Sequence, residues 1–242
     1  MTSTPEVTPA ALERLASVSA ATISMQLLKR GIRRVWMDGP RPMTPGTPRI
    51  VGEAFTLRFI PMREDIATLE SYRAAGSLRE AIEAMPPERV VVIEARGERG
   101  CGTLGDILVA RLKVRGARGV VSDGAMRDVA EVRAVGLPIY CNGAAAPPSI
   151  TELFFAGWAL PIGCGGAAVL PGDVVVADED GAVVVPRALV EEVAQDAPEQ
   201  ERFERFVQIR VQQGAPVLGL YPPNDQTLAD YEAWLAAGEP ER

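Results

Sequence analysis

Short buried strands alternate with helices through the middle of this 242-residue chain, and this rhythm restricts the fold more than any other feature. Residues 89–95, 119–122 and 137–141 have the composition of strands, whereas 105–115 and 127–134 have that of helices. Short strands joined by helices of about ten residues favour a parallel sheet with right-handed crossovers. The sequence therefore predicts an α/β fold.

The flanking regions predict further elements. Apolar residues near helical spacing indicate helices at 8–30, which Gly31 ends, and at 65–84, whereas 49–60 alternates as a strand does. Residues 161–186 are rich in Val and Gly and predict several short strands with turns. The remaining predicted elements are a loop at 38–48, a long charged helix at 187–213 and a helix around Trp234. We expect a single domain, residues 1–242, with a core at about 10–200 and a C-terminal helical extension at about 200–242.

Targeting signals and cysteine usage favour a cytoplasmic protein. The first residues lack the basic and apolar regions of a signal peptide. The longest apolar region, 153–176, is broken by Gly and Pro and is not expected to span a membrane. The three cysteines, Cys101, Cys141 and Cys164, are far apart and odd in number, which suits buried thiols in a reducing compartment.

Composition excludes several kinds of chemistry. The chain has no histidine, which removes Ser–His and Cys–His nucleophile pairs, imidazole acid–base catalysis and zinc sites built on imidazole. Lys29 and Lys113 are the only lysines, so few groups could form a Schiff base. The net charge of −7, without a basic run, also argues against nucleic acid as a partner.

One motif resembles a nucleotide site. Residues 100–105 read Gly-Cys-Gly-Thr-Leu-Gly, between a predicted strand and a predicted helix, and Asp123 follows the next strand. A dinucleotide-binding turn places its first glycine at the strand end, whereas 96–99 intervene here. We therefore discount a dinucleotide site.

Charged residues cluster around the ends of two predicted strands. Asp106 is followed after twenty residues by Arg127 and Asp128, and then by Glu131. Loops 96–106 and 123–128 leave the carboxyl ends of neighbouring parallel strands, the edge where open α/β sheets bind ligands. Each charge alone also has a simpler interpretation, since Asp106 suits a helix cap and Glu131 a solvated ion pair.

If these groups share a cleft, its chemistry is restricted. Only oxygen ligands are present, so Mg²⁺ or Mn²⁺ is the expected ion. The first N–H groups of the helix at Asp106, Ile107 and Leu108 would favour an anion such as a carboxylate. An arginine beside a metal suits a substrate with adjacent carboxylate and carbonyl groups.

The spacing of Asp106, Arg127-Asp128 and Glu131 resembles the signature of the class II pyruvate aldolases of the RraA-like family. The blocks 119–128, 137–139 and 161–186 are also similar to family sequence, so the resemblance covers roughly residues 10–200. That family includes 4-hydroxy-4-methyl-2-oxoglutarate aldolases and regulators of ribonuclease activity, and its members have also been called dimethylmenaquinone methyltransferases.

The resemblance implies a swivelling α/β/β/α domain with a central sheet and helical N- and C-terminal decorations. It implies a homotrimer or a hexamer with active sites between subunits, and Mg²⁺ (or Mn²⁺) held by Asp128 largely through waters. Arg127 would bind the pyruvate-like end, and Asp106 would act in proton transfer. The start of the helix at Gly105, with the amides of Ile107 and Leu108, would receive the substrate carboxylate. Glu131 would complete the signature and could reach the metal through water.

Two functions from different classes follow. The first is metal-dependent cleavage of a 4-hydroxy-2-oxo acid to pyruvate, with oxaloacetate decarboxylation as a side activity. The second is a protein-binding regulator that inhibits a ribonuclease. The chain departs from many relatives at Ser24-Met25-Gln26, where they have an acidic residue, and 55–65 and 219–223 resemble a longer subgroup.

Overall fold

The computed structural model describes residues 6–240 as a mixed α/β fold. The start of the chain, considered above for a signal peptide, and the last two residues of the expected domain lie outside that range. The helices are α1 Pro9–Ala16, α2 Ala20–Lys29, α3 Leu78–Ala84, α4 Asp106–Val114, α5 Val129–Val135, α6 Val190–Gln212 and α7 Asp225–Ala236. The strands are β1 Trp36–Met37, β2 Arg41–Pro42, β3 Ile50–Pro61, β4 Arg89–Glu94, β5 Gly119–Ser122, β6 Ile139–Cys141, β7 Leu153–Trp158, β8 Ile162–Cys164, β9 Ala167–Val169, β10 Val174–Asp178 and β11 Gly181–Val185.

Nine of these strands form one sheet, in the order β1-β11-β10-β3-β4-β5-β6-β2, with β7 paired to the end of β3. The central strands β3, β4, β5 and β6 run parallel, as the strand–helix rhythm predicts. The outer strands run antiparallel, including β10 along the first half of β3 and β7 along its second half. The carboxyl ends of β4, β5 and β6 therefore meet at one edge.

Hydrophobic residues cover both faces of the sheet. Along β4, Val90 and Val92 join the core beneath α1, α2 and α6, whereas Val91 and Ile93 join the core beneath α3, α4 and α5. The alternation follows from the two-residue period of a strand. Strands buried on both faces are typical of parallel sheets and account for the near-continuous apolar runs.

A separate hairpin, β8–β9, packs in the first of these cores. The buried Cys164 at its end donates its thiol to Ile93 O over 3.4 Å, which fastens the hairpin to the end of β4. Residues 161–186 thus form four short strands, β8 to β11, as the sequence indicates.

The C-terminal extension has a small core of its own. Phe206 on α6 packs with Tyr231 and Trp234 on α7, at ring-centroid distances of 5.4 and 5.5 Å. The Trp234 indole N–H also donates to Pro240 O over 2.8 Å. The extension is therefore ordered by aromatic packing against the second half of α6.

The predicted helix at 8–30 is wrong as a single element. The chain forms two helices there, and Ser19 begins the second by accepting a hydrogen bond on its Oγ from Thr22 N at 3.1 Å. The Ser19 N–H itself donates to Glu201 Oε1 over 2.7 Å. Serine is among the preferred helix N-caps, so its side chain restarts the helix where apolar spacing alone shows no break.

The predicted helix at 65–84 is also largely wrong, because only α3 is α-helical and residues 69–72 form a 3-10 turn. Gly76 has φ +79°, a left-handed conformation that separates the two segments. The predicted loop at 38–48 contains the two-residue strand β2, and β7 was not predicted. Within residues 6–240, no helix combines the length and apolarity needed to cross a membrane.

Candidate active site

Backbone hydrogen bonds join the loops that follow β4, β5 and β6. Thr103 N donates to Ala125 O at 2.8 Å and Arg127 N donates to Leu104 O at 3.0 Å, which links the first loop to the second. Met126 N donates to Gly143 O at 3.0 Å, which links the second loop to the third. These bonds continue the sheet pattern beyond the strands, so the loops form a fixed surface at its carboxyl edge.

Helix α4 begins on this surface without a side-chain cap. Its N-cap is Gly105, and its first intrahelical bond runs from Val109 N to Gly105 O at 3.1 Å. The N–H groups of Asp106, Ile107 and Leu108 precede that bond and have no acceptor within the described part of the chain. By contrast, Thr8, Ser19 and Asn224 cap α1, α2 and α7 with their side chains. Asp106 is the first residue of α4 and not its cap, and the helix start is open to an anion.

Two glycines make room for the neighbouring loop. A Cβ on Gly102 would stand 2.6 Å from Arg127 Cβ, and a Cβ on Gly105 would stand 2.4 Å from Asp128 Oδ2. Real Cβ contacts are essentially never this close, so a side chain at either position would force its neighbour to move. The glycines of the 100–105 motif therefore allow Arg127 and Asp128 to approach the start of α4, which explains the motif without a nucleotide.

Arg127 and Asp128 form an ion pair at the start of α5. Arg127 Nε lies 3.2 Å from Asp128 Oδ2, and each side chain retains about a third of its exposure, 35% and 36%. Asp128 Oδ1 has no hydrogen-bond partner among residues 6–240. Asp128 also has φ +53° and ψ +46°, a left-handed conformation that costs a non-glycine residue energy and that clusters at functional sites.

One cavity collects these groups. Its volume is 360 Å³, and its lining includes Gly105, Asp106, Ile107, Leu108, Arg127 and Asp128. The rest of its lining consists of Tyr72, Leu78, Arg79, Gly102, Thr103, Pro148 and Ser149. The structure thus brings together every predicted site residue except one.

The exception is Glu131, which is exposed in the first turn of α5 and does not line the cavity. The sequence interpretation missed Tyr72 and Arg79, which lie on the segment wrongly predicted as one helix. Nothing in their spacing marks them as site residues.

The oxygen donors of the cavity fit a Mg²⁺ ion that keeps most of its water. Among the described residues, no group of three or more Asp, Glu or Cys side chains is placed to enclose a metal. Mg²⁺ is commonly held by one or two carboxylates plus substrate and waters, which matches a single half-exposed Asp128 facing an open cavity.

Asp123 has a structural role beside the site. It is 2% exposed and accepts hydrogen bonds from Ala95 N at 2.6 Å and Gly165 N at 3.0 Å, so it ties the end of β4 to the turn of the β8–β9 hairpin. Burial raises the pKa of its carboxyl group, and the backbone hydrogen bonds from Gly165 and Ala95 oppose that rise.

The cysteines are unsuited to nucleophilic catalysis. Cys101, Cys141 and Cys164 are buried and unpaired. Burial, with smaller contributions from Glu98 and Glu152, raises the pKa of Cys101 to about 11. Burial also raises the pKa of the other two thiols, so all three behave as packing residues, as expected from the sequence.

Comparison with known protein families identifies the family. The RraA-like family, described as Aldolase/RraA, matches residues 16–184, a span that contains the whole cavity wall from Tyr72 to Ser149. The chain belongs to the RraA-like family. The resemblance inferred from Asp106, Arg127 and Asp128 is therefore confirmed at the level of the family.

Several relatives of this RraA-like protein carry the name of a putative aldolase. A Halalkalibacterium halodurans protein named "Putative 4-hydroxy-4-methyl-2-oxoglutarate aldolase" is 36% identical over 124 residues, which are 51% of this chain and 58% of the relative. Protein DlpA of Legionella pneumophila is 26% identical over 230 residues, which are 94% of this chain and 35% of DlpA. The chain thus spans about a third of the length of DlpA and somewhat over half of the length of the Halalkalibacterium halodurans protein.

Solved structures share the fold. Streptomyces coelicolor RraAS2, described as an unusual member of the RNase ES inhibitor RraA protein family, is 38% identical with a TM-score of 0.76, over 85% of this chain and 99% of RraAS2. An uncharacterized protein from Pseudomonas syringae is 25% identical with a TM-score of 0.79, over 91% of this chain and 97% of that protein. These likenesses confirm the α/β prediction and the RraA-type architecture.

Proposed function

We propose that this RraA-like protein is a divalent-metal-dependent aldolase that cleaves a 4-hydroxy-2-oxo acid to pyruvate and a carbonyl product. The observation that carries the proposal is the meeting of the uncapped α4 start, Arg127 and Asp128 in one 360 Å³ cavity. Aldolase names among the relatives support a lyase activity of this type.

The start of α4 and Arg127 would bind the 2-oxo acid. The N–H groups of Ile107 and Leu108 receive the C1 carboxylate, because unpaired helix N–H groups and the helix dipole favour an anion. Arg127 offers planar N–H donors to the carboxylate and to the neighbouring 2-oxo oxygen. These contacts fix the substrate with C3 and C4 toward the open part of the cavity.

Asp106 would act as the base. It takes the proton of the C4 hydroxyl, directly or through one water, as the C3–C4 bond breaks and C4 becomes a carbonyl. The electron pair of that bond passes to C3 and the 2-oxo group, and Arg127 stabilises the resulting enolate charge. A proton then returns to C3 and gives pyruvate, so no net proton is consumed.

A divalent ion would be held by Asp128, with waters and substrate completing its shell, and it would supply polarisation of the 2-oxo oxygen.

A Schiff-base route has little support, because Lys113 donates to Val135 O beside the far end of α4 and does not line the cavity. Oxaloacetate decarboxylation, which gives the same enolate, is the expected side activity.

We also propose a homotrimer or a dimer of trimers, with sites completed between subunits. Ile107 and Val114 are seven residues apart on α4 and are 77% and 75% exposed, an apolar edge beside the cavity. Residues at this spacing lie on the same side of a helix, so a neighbouring copy could cover both. Light scattering of the purified protein measures the assembly directly, and a monomer would refute it.

Pyruvate release tests the aldolase. The protein is mixed with 4-hydroxy-2-oxoglutarate or oxaloacetate, with added Mg²⁺ or Mn²⁺ and, separately, with EDTA. We expect pyruvate release with metal and its loss with EDTA. Absence of metal-dependent release from any 2-oxo acid tested would overturn the proposal.

A second candidate function is inhibition of a ribonuclease. It is favoured by one observation, the 38% identity to RraAS2 over 99% of that protein. A regulator of this kind needs a binding surface and has no use for the open α4 start. Wild-type protein and Arg127→Ala are therefore compared for inhibition of RNase ES: equal inhibition by both would assign that function to a surface outside the cavity, and no inhibition by either would remove it.

A further inference from the structure

Arg79 lines the same cavity as Arg127 and lacks the acidic partner that surface arginines usually have. It lines the cavity from the first turn of α3. No Asp or Glu among residues 6–240 lies within ion-pair distance of it, whereas Arg127 is paired with Asp128. Its charge is thus available to an anion that enters the cavity.

The neighbouring Tyr72 holds the Arg79 guanidinium in place. The Arg79 Cζ lies 4.6 Å from the centre of the Tyr72 ring, and Arg79 Nη1 donates to Tyr72 O over 3.3 Å. Stacking of this kind stabilises a guanidinium and leaves its edge donors open. Tyr72 also lines the cavity, so both side chains belong to the same wall.

The charges of the cavity match a ligand with two carboxylates. Arg79 and Arg127 balance Asp106 and Asp128, so a bound divalent ion leaves two positive charges in excess. A dicarboxylate neutralises both charges, whereas a monocarboxylate leaves one uncompensated in a partly enclosed site. Electrostatic complementarity of this kind determines which ligands are preferred.

We propose that Arg79, oriented by Tyr72, is a specificity-determining residue that binds the distal carboxylate of the substrate, while the α4 start and Arg127 bind the 2-oxo acid end. This inference rests on the proposed function for the identity of that 2-oxo acid end. It adds a cavity residue on α3, a different element from the loop that carries Arg127, and this residue distinguishes a charged from an uncharged substrate tail.

Binding of two matched, unreactive ligands tests the assignment without turnover. 2-Oxoglutarate and 2-oxopentanoate have equally long chains and differ at C5, which is a carboxylate in the first and a methyl group in the second. Calorimetry with Mg²⁺ present should show a preference of wild-type protein for 2-oxoglutarate. Arg79→Ala should weaken the binding of 2-oxoglutarate about tenfold or more, which is the usual cost of a lost hydrogen bond to a charged group. The same substitution should change the affinity for 2-oxopentanoate by less than about twofold.

Two further variants separate specific contact from general charge. Arg73 is exposed on the same segment, forms no ion pair with residues 6–240 and does not line the cavity. Arg73→Ala therefore removes an equal charge and should leave the preference intact. Tyr72→Leu should lower the preference partly, because Arg79 loses its stacking partner. The assignment would be overturned if Arg79→Ala lowered the affinity for both ligands equally. It would also be overturned if wild-type protein bound both ligands with equal affinity.

Turnover distinguishes this inference from the proposed reaction. If wild-type protein releases no pyruvate from 4-hydroxy-2-oxoglutarate yet retains the Arg79-dependent binding preference, the aldolase proposal fails and the Arg79 assignment stands. If it cleaves 4-hydroxy-2-oxoglutarate and 4-hydroxy-2-oxopentanoate, and Arg79→Ala lowers kcat/KM for both alike, the reaction stands and the assignment fails.

Discussion

Gly105 and the carboxylate of Asp128 occupy adjoining space, with 2.4 Å between Asp128 Oδ2 and the position that a Cβ on residue 105 would take. The backbone of Gly105 has φ −115°, which alanine adopts without strain, so a substitution is opposed by this contact and by a smaller one with Arg127 Cγ at 3.3 Å. Asp128 can therefore lie this close to the start of α4 because residue 105 has no Cβ.

Gly105→Ala should displace the Asp128 side chain and leave the fold intact, because a carboxylate tip can rotate away from the new methyl group. We expect an unfolding temperature within a few degrees of wild type, and Mn²⁺ binding weakened about tenfold or more since the ligand is moved. Thermal unfolding and a Mn²⁺ titration followed by electron paramagnetic resonance measure the two effects. Unchanged Mn²⁺ affinity would contradict the role given to Asp128.

Gly102→Ala is the matched comparison. Its Cβ would meet Arg127 Cβ at 2.6 Å and Arg127 N at 2.7 Å, and backbone atoms cannot rotate away. Overpacking of this kind costs about 1–3 kcal/mol. Urea unfolding should show that loss of stability for Gly102→Ala and a smaller one for Gly105→Ala; the reverse order would be inconsistent with the geometry.

Asp128→Asn should abolish metal-dependent turnover while the protein stays folded. Asparagine tolerates the left-handed backbone at φ +53°, so the substitution changes charge with little added strain. We expect pyruvate release to fall about a hundredfold or more, because the charged metal ligand is lost. Asp128→Ala should lose activity equally and be about 1 kcal/mol less stable than Asp128→Asn. Unfolding of both variants would assign Asp128 a structural role.

Asp123 should make the free energy of unfolding depend on pH in acid. Its pKa is raised in the folded state, so its stabilising contribution is present below the unfolded pKa of about 3.9 and is lost as pH rises through the folded pKa. The stability difference between wild type and Asp123→Asn should therefore shrink as pH rises through that window. Urea unfolding at a series of pH values measures it, and a difference that grows with pH would refute the raised pKa.

The thiols should react slowly in the native protein. At pH 8 a thiol with a pKa of about 11 is roughly a thousandth ionised, and Cys101 is also fully buried. We expect Ellman's reagent to label three thiols rapidly in guanidinium chloride and to label native protein much more slowly. Rapid native labelling would show that the loops around Cys101 open easily.

The central sheet and most of the site could be predicted from the sequence because their signals are local and strong. Valine runs mark β4 and β5, and the parallel arrangement then places the loops after them at one edge. From that step alone, Asp106 and Arg127 were expected to share a cavity, and the structure places both on its wall. Because the strands are parallel, residues that are far apart in the sequence could be predicted to lie at the same edge of the sheet.

Glu131 shows where local spacing fails. Residues three apart, such as Asp128 and Glu131, share a face when both are helical, but Asp128 lies outside α5 in a left-handed conformation. The three-residue rule holds only within a helix, so it does not apply to this pair. The left-handed backbone of Asp128 has no signature in the apolar periodicity of the sequence.

The wall that contains Tyr72 and Arg79 could not be predicted for a related reason. Apolar spacing suggested one helix over 65–84, whereas Gly76 turns the chain and brings the 3-10 turn at 69–72 toward the loops of β4 and β5. The cavity residues beside this turn, such as Gly102 and Pro148, are far from it in the sequence. Local helix propensity is a weak guide to structure where contacts between such distant residues determine the conformation.

The pairing of Val51 on β3 with Val176 on β10 has a consequence for how the molecule is made. The loops that carry Asp106 and Arg127 are all synthesised between those two strands, so they emerge from the ribosome before β3 has its neighbour on that side. Closing so long a stretch of chain is entropically costly and slows folding. A chain that stopped short of β10 would leave the edge of β3 exposed, a template for aggregation that the finished protein covers with its last strands.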